Sequence, residues 1–281
     1  MSFQAASDGL LGIYAHKYAV SAMSDLSTPR PMFFRPNGSP VHLLDIYANT
    51  SVFLLCNGPS FREVESSLFR KRGIMTFGLN NGAHEFVPQL WAAVDHPARF
   101  ARSVWADPTI LKFIPLDNAE KPIWDAKAGC YSQEKASSFP NVLCVRRNER
   151  FDPFTWLKEE TVNCGNDPRF GGPVSVMLFS LRICYLLGFR QVFLVACDFN
   201  MRLERPYWFD GTYDQASVEF NNKVYRKLAQ LFKLLKPQFD AAGFSVLNTN
   251  RKSQLTVFPF TDLNHAICGS SVATPSATRG V

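Results

Sequence analysis

Polar residues able to do chemistry close four apolar runs of this sequence. Asn57-Gly58-Pro59-Ser60 follows residues 52–56, Asn80 and Asn81 follow 74–79, Asp95 and His96 follow 89–94, and Asp198 follows 191–197. Amides and a hydroxyl can hold a phosphate or a ribose, and a glycine lets a phosphate approach the backbone because it has no Cβ. Carboxylates and an imidazole can move protons or hold a cation. The spacing is neither the three-glycine dinucleotide fingerprint nor the phosphate loop that ends in Gly-Lys-Ser/Thr. An ordinary strand-to-helix turn is the competing reading of residues 57–60. A second glycine-rich stretch, Gly171-Gly172-Pro173-Val174-Ser175, opens a strongly apolar segment.

The elements that must position these residues follow from the pattern around them. Residues 52–56 are too few for a helix and rich in β-formers, so they predict a strand buried on both faces, as parallel strands are. Apolar positions 61, 64, 68 and 69 predict a helix over 61–69 capped by Ser60, whose N-terminus would welcome an anion. Residues 73–82, 89–97, 110–116, 142–145, 191–197 and 244–248 supply further strands. Residues 174–187 predict a helix apolar nearly all round, closed by Gly188, and 218–235 a long helix with Asn222, Lys223, Arg226 and Lys227 on its polar face. The fold class is therefore α/β and Rossmann-like, a mostly parallel sheet with helices on both faces. Ligands of such sheets bind beyond the carboxyl ends of the strands, where Asn57, Asn80, Asn81, Asp95 and His96 converge. The polar and aromatic stretch 201–214 predicts a lid after the Asp198 strand, with Asp210-Gly211 as a flexible pair and Tyr213 as a candidate for acceptor-side chemistry. Arg146, Arg147 and Arg150 form either a solvated basic turn or a site for a phosphate chain.

Composition bounds the reading further. A chain of 281 residues, 46% hydrophobic, can bury a sizeable core. Residues 1–44 read as an N-terminal arm, with an amphipathic piece over 10–23 and a proline-rich half; 45–268 read as a single nucleotide-binding catalytic domain and 269–281 as a flexible tail. No apolar run approaches the ~20 residues that span a bilayer, and the start lacks a basic segment before an apolar one, so the expectation is a cytoplasmic protein. Seven cysteines are an odd number, and Cys56, Cys184 and Cys197 sit in apolar runs, as reduced buried thiols do. Without a CxxC pair no structural metal site is assigned. The net charge of +6 leaves a nucleic acid or another polyanion open as a partner. Oligomeric state is open, a homo-oligomer included.

The segments Leu55-Cys56-Asn57-Gly58-Pro59-Ser60, Asn80-Asn81, Gly171-Gly172-Pro173-Val174-Ser175 and Val195-Ala196-Cys197-Asp198-Phe199, in this order over residues 51–250, resemble the successive signatures of bacterial lipo-oligosaccharide sialyltransferases. They are similar also to hydroxymethylpterin pyrophosphokinase-like proteins, phage members included. The resemblance implies that the first loop and the amides after the second strand hold the phosphate and ribose of an activated CMP-sugar, and that the loop before the central helix holds base and sugar. Those roles fall on Asn57, Gly58, Pro59, Ser60, Asn80, Asn81, Gly171, Gly172 and Ser175. The family has an asparagine where this chain has Asp95, and its general-base histidine lies after the Asp198 strand, where this chain has none. A base would then come from Asp210, Asp214 or His96.

These readings converge on a transferase that takes a nucleotide-activated donor, a glycosyltransferase first, with a glycan or a nucleic acid as acceptor. The alternatives are a pyrophosphokinase or other phosphoryl transferase using Asp95 and Asp198 with Mg²⁺, and a nucleotide-binding module without turnover. No cofactor is assigned to the first reading.

Overall fold

The computed structural model describes residues 30–170, 174–209 and 213–271. The amphipathic piece over 10–23 lies outside them. In chain order the elements are β1 (Phe33–Phe34), β2 (Pro40–Val41), β3 (Ser51–Leu55), β4 (Thr76–Leu79), α1 (Gly82–Glu85), β5 (Leu90–Ala92), α2 (Arg102–Ala106), β6 (Leu111–Pro115) and β7 (Pro122–Asp125). Then come β8 (Cys130–Lys135), β9 (Val142–Val145), β10 (Arg147–Asn148), β11 (Val162–Asn163), α3 (Val176–Leu186), β12 (Gln191–Val195), α4 (Gln215–Ala241), β13 (Ser245–Asn248) and α5 (Leu263–Ser271).

The main sheet runs β13-β12-β3-β4-β5-β6-β9-β1-β2. Its strands are parallel from β13 to β9, and β1 and β2 close one edge antiparallel. Part of the stretch read as an arm is thus sheet, because the buried pair Phe33 and Phe34 supplies a strand that pairs with β9. Successive strands β3 to β6 step in one direction from β3, whereas β12 returns to its other side with Phe193 opposite Phe53. The order therefore reverses between β3 and β12, which is where a crevice opens in sheets of this kind.

Period-two alternation sends Val52, Leu54, Phe77 and Leu194 to one face, against Leu181 of α3 and Phe232, Leu235 and Phe239 of α4. Phe53, Leu55, Phe193 and Val195 take the other face, with Phe61, Phe69 and Ile267 of α5. Farther along, Trp91 and Ile114 pack with Trp105 of α2. Helical segments cover both faces, as the continuous apolar strands require.

Three segments depart from the sequence reading. Residues 61–69 are not one α-helix but two 3-10 turns, Pro59–Glu63 and Ser66–Arg70, broken at an extended Val64. Phe61 and Phe69 stack with ring centroids 6.2 Å apart, whereas eight residues of α-helix would separate them by about 12 Å; burying both rings on Phe53 and Phe86 overrides the helical stripe. Helix α4 is longer than 218–235 because Asp214 caps it, accepting a 2.7 Å bond from Ser217 N–H, and because buried Phe239 carries it past Pro237. The tail expected from residue 269 begins inside α5, and its remainder lies outside the described residues. Among the described residues, no helix is long and apolar enough to cross a membrane.

Candidate functional site

A cleft of about 690 Å³ opens at the carboxyl ends of the central strands, between β3 and β12. That volume suits a nucleotide-sized ligand. Its floor is Cys56, Asn57 and Gly58 after β3, Asn80 and Asn81 after β4, Asp95 after β5, and Ala196, Cys197 and Asp198 after β12; α3 contributes its N-terminus through Ser175 and Met177. Tyr207, Phe209 and Tyr213 form an aromatic wall, and the first turns of α4 close the remaining side.

The turn after β3 does not wait for an anion in the way its sequence suggests. Gly58 N–H donates to Ala196 O at 3.0 Å and Ser60 N–H donates to Asp198 Oδ2 at 3.0 Å, so an internal carboxylate already occupies this turn. Asn250, which follows β13, donates from Nδ2 to the other oxygen of Asp198. Asp198 thereby caps the first 3-10 turn from another strand. A Cβ on Gly58 would stand 2.0 Å from Asp198 Oδ2 and 2.4 Å from Ala196 O, so the glycine makes room for that carboxylate. Ser60 does not cap a helix: Gly58 is the cap residue, without a side-chain bond, and Ser60 Oγ accepts from Asn250 at 3.3 Å. Pro59 and Ser60 are absent from the cleft lining.

The amides divide into engaged and unengaged. Asn81 is engaged, with Nδ2 donating to Arg99 O at 2.9 Å and Oδ1 accepting from Ala101 N–H at 3.1 Å. Asn57 Oδ1 and Asn80 Oδ1 are buried without a hydrogen-bond partner, although both residues line the cleft. Orphaned polar atoms of this kind cost about 1–3 kcal/mol each and are rare in folded proteins. Asn80 also holds a left-handed backbone, φ 47°, as Ala196 and Phe199 do on either side of Asp198, with φ 51° and 55°. Such strain persists where the surroundings over-determine it, most often at functional sites.

The ionisable groups have distinct tasks. Asp95 Oδ2 pairs with Arg99 at 3.3 Å, across side chains 44% and 70% exposed; an exposed pair of this kind is worth at most about 1 kcal/mol, so a ligand phosphate can take Arg99 from it. Asp214 lines the cleft but serves as the cap of α4, and the Ser217 bonds hold its carboxyl below the usual range. His96 does not line the cleft; its Nδ1 accepts from Ala98 N–H at 3.2 Å, and its ring lies 5.7 Å from Tyr131. Burial pushes the Tyr207 phenol up to about 12, helped by Tyr213, and burial also raises Tyr213. Both therefore keep their phenolic proton at physiological pH. Ser175 caps α3, accepting from Leu178 N–H at 3.3 Å. Among the described residues, no group of three or more His, Cys, Asp or Glu side chains is placed to hold a metal ion.

Gly171, Gly172 and Asp210 lie outside the described residues. Of the arginines after β9, Arg146 stacks over Phe34 at 4.6 Å and Arg147 pairs with Asp117, so both have structural partners. Sequence reasoning missed Arg99 and Asn250. Arg99 stands four residues after Asp95, a spacing that could have signalled a pair; nothing in the sequence points from Asn250 to Asp198.

The fold is that of an α/β protein with a cleft at the topological switch point of its sheet. No family model and no curated protein matches the chain. Among solved structures it is similar to the MAf glycosyltransferase from Magnetospirillum magneticum AMB-1, at 10% identity and a TM-score of 0.44, over 86% of this chain and 39% of that one.

Proposed function

We propose that the chain is a glycosyltransferase that takes a nucleotide-activated sugar in the switch-point cleft. The observation that carries this reading is the pair of unpartnered amides, Asn57 and Asn80, at adjoining strand ends beside Arg99. In this reading the amides hold ribose and phosphate, Arg99 meets the phosphate, and the neutral phenols of Tyr207 and Tyr213 donate to sugar or leaving group. Asp95 is released from Arg99 as the donor binds and becomes the base. Both oxygens of Asp198 are committed within the fold, and Asp214 is committed to its cap. The acceptor oxygen forms a bond to the anomeric carbon, the carbon–oxygen bond to the phosphate breaks, the phosphate leaves with the electron pair, and the acceptor's proton goes to Asp95. Of the lid read over 207–214, residues 210–212 lie outside the described residues; its described start is anchored where Trp208 N–H donates to Asn57 O at 3.3 Å and Arg62 donates to Trp208 O at 2.7 Å. The resemblance of the motifs favours CMP-linked donors.

A second reading has its own support: three carboxylates, Asp95, Asp198 and Asp214, line the cleft with Arg99 as their counter-charge. That excess suits a phosphate accompanied by Mg²⁺, as in phosphoryl transfer. Thermal melting against CMP-, UDP- and GDP-sugars and against ATP with Mg²⁺ separates the two. A ligand at ~100 times its Kd adds about 2.7 kcal/mol, several degrees for a chain of this size. Stabilisation by a nucleotide-sugar is the expected result; stabilisation by ATP with Mg²⁺ alone would transfer the site to the second reading, and a flat panel would sink both.

A further inference from the structure

Helix α4 carries a second surface beside the cleft. Phe220 is 66% exposed and lines both the cleft and a shallow groove on the outer side of α4, shared with Lys223 and Arg226. Helical spacing places Ala216, Phe220, Lys223 and Lys227 along one stripe. Asn222 fastens the segment after β12 to this helix, donating to Met201 O at 2.9 Å and accepting from Met201 N–H at 2.8 Å, and Arg202 and Arg205 follow Met201 in the sequence. Among the described residues, Lys223, Arg226, Lys227, Arg202 and Arg205 form no ion pair, whereas Arg99, Arg102, Lys135, Arg147 and Lys236 do. Among the described residues of 201–227 outside the cleft lining, these five cations are accompanied by two acids, Glu204 and Glu219, and Glu219 lines the groove together with Lys223 and Arg226. Inside the cleft the balance is reversed, with Asp95, Asp198 and Asp214 against Arg99. The charge changes sign across one exposed ring.

An apolar partner would not need the cations, and a neutral glycan would leave them unanswered. A polymer with regularly spaced negative charges and flat rings between them uses both features: phosphates meet Lys223 and Arg226, and an unstacked base lies on Phe220. A duplex keeps its bases stacked and cannot offer one to a single protruding ring. We propose that the outer face of α4 binds a single-stranded nucleic acid as the acceptor, with Phe220 holding the base that precedes the nucleotide presented to the cleft. The inference deepens the glycosyltransferase reading and depends on it only for the role of acceptor.

The test is fluorescence anisotropy with a labelled twelve-nucleotide oligothymidylate over a series of salt concentrations. Log affinity should fall with log salt by about 0.7 for each phosphate engaged. The double variant K223Q/R226Q should flatten that slope by about 1.4, and Phe220→Ala should weaken binding about tenfold while leaving the slope unchanged. No binding by the wild type, a wild-type slope in the double variant, no effect of Phe220→Ala, or equally tight binding of a sulfated glycan of matched charge would each overturn the proposal. K223Q/R226Q should keep any nucleotide-sugar melting shift. If the sugar panel is flat while the oligonucleotide behaves as stated, the donor reading fails and this surface stands; the converse separates them the other way.

Discussion

Gly58 and Asn80 stand at the ends of β3 and β4, yet substitution should affect them in opposite ways. At Gly58 even a methyl group collides with Ala196 O, which is backbone and cannot rotate aside. Gly58→Ala should therefore lower stability by about 1–3 kcal/mol, measured by denaturant melting. The sequence alone suggests that a Gly58 variant would lose its ligand while keeping its fold; the contact with Asp198 makes those two effects inseparable. Asn80 is the cleaner probe. Its φ of 47° is natural for glycine, and the Trp91 Nε1 bond to its carbonyl, 2.8 Å, does not need the side chain. Asn80→Gly should stay within about 1 kcal/mol of wild type and lose the nucleotide-sugar melting shift. A full shift in that variant would remove the amide from the site. The sequence shows which residues end strands, but whether an amide is free or committed depends on neighbours far along the chain. Asn81, equally polar, is consumed by residues 99 and 101.

Elements were legible where burial alone decides them and illegible where tertiary partners do. The parallel strands of the main sheet and α3 follow from apolar runs, and Gly188, with φ 96°, closes α3 as expected, whereas the short or exposed strands β1, β2, β7, β8, β10 and β11 have no such run and were not legible. The two 3-10 turns at 59–70 were hidden because their shape is set by rings packed from other segments. The loop leading into α3 is held by Asp167, a residue its sequence does not distinguish. Asp167 is 2% exposed, accepts from Phe151 N–H at 2.8 Å and pairs with Arg169, which holds its carboxyl below the usual value. A carboxyl depressed in the folded state contributes stability that is present above the unfolded value near ~4 and is lost as pH falls through the folded one. Asp167→Asn should cost roughly 1–3 kcal/mol at neutral pH and flatten the acid limb of a stability-versus-pH curve below about pH 4. An unchanged acid limb would place the carboxylate's stabilising role elsewhere.

At the scale of the molecule, the parallel α/β class could be read from alternating strands and helices, but the strand order could not. Nothing local says that β12 returns to pair with β3, and that single long-range pairing creates the crevice and brings Asp198 to Gly58. The crevice then has a charge that limits what it can hold. Asp95, Asp198 and Asp214 face one arginine, already shared with Asp95. A donor with one phosphate charge can be met by Arg99 alone, at the expense of an exposed ion pair of at most about 1 kcal/mol. A diphosphate brings a second charge toward the carboxylates and needs a divalent cation to accompany it. CMP-linked donors should therefore raise the melting temperature equally with Mg²⁺ and with chelator, whereas UDP- and GDP-linked donors should do so only with Mg²⁺. Arg99→Gln should abolish the metal-independent shift. Asp95→Asn should strengthen it, because the amide leaves Arg99 unshared and removes a like charge from the phosphate, while turnover should fall with loss of the proposed base. Weaker CMP-sugar binding in Asp95→Asn would mean that the carboxylate positions Arg99 and does not compete for it, and the role of base would then pass from Asp95.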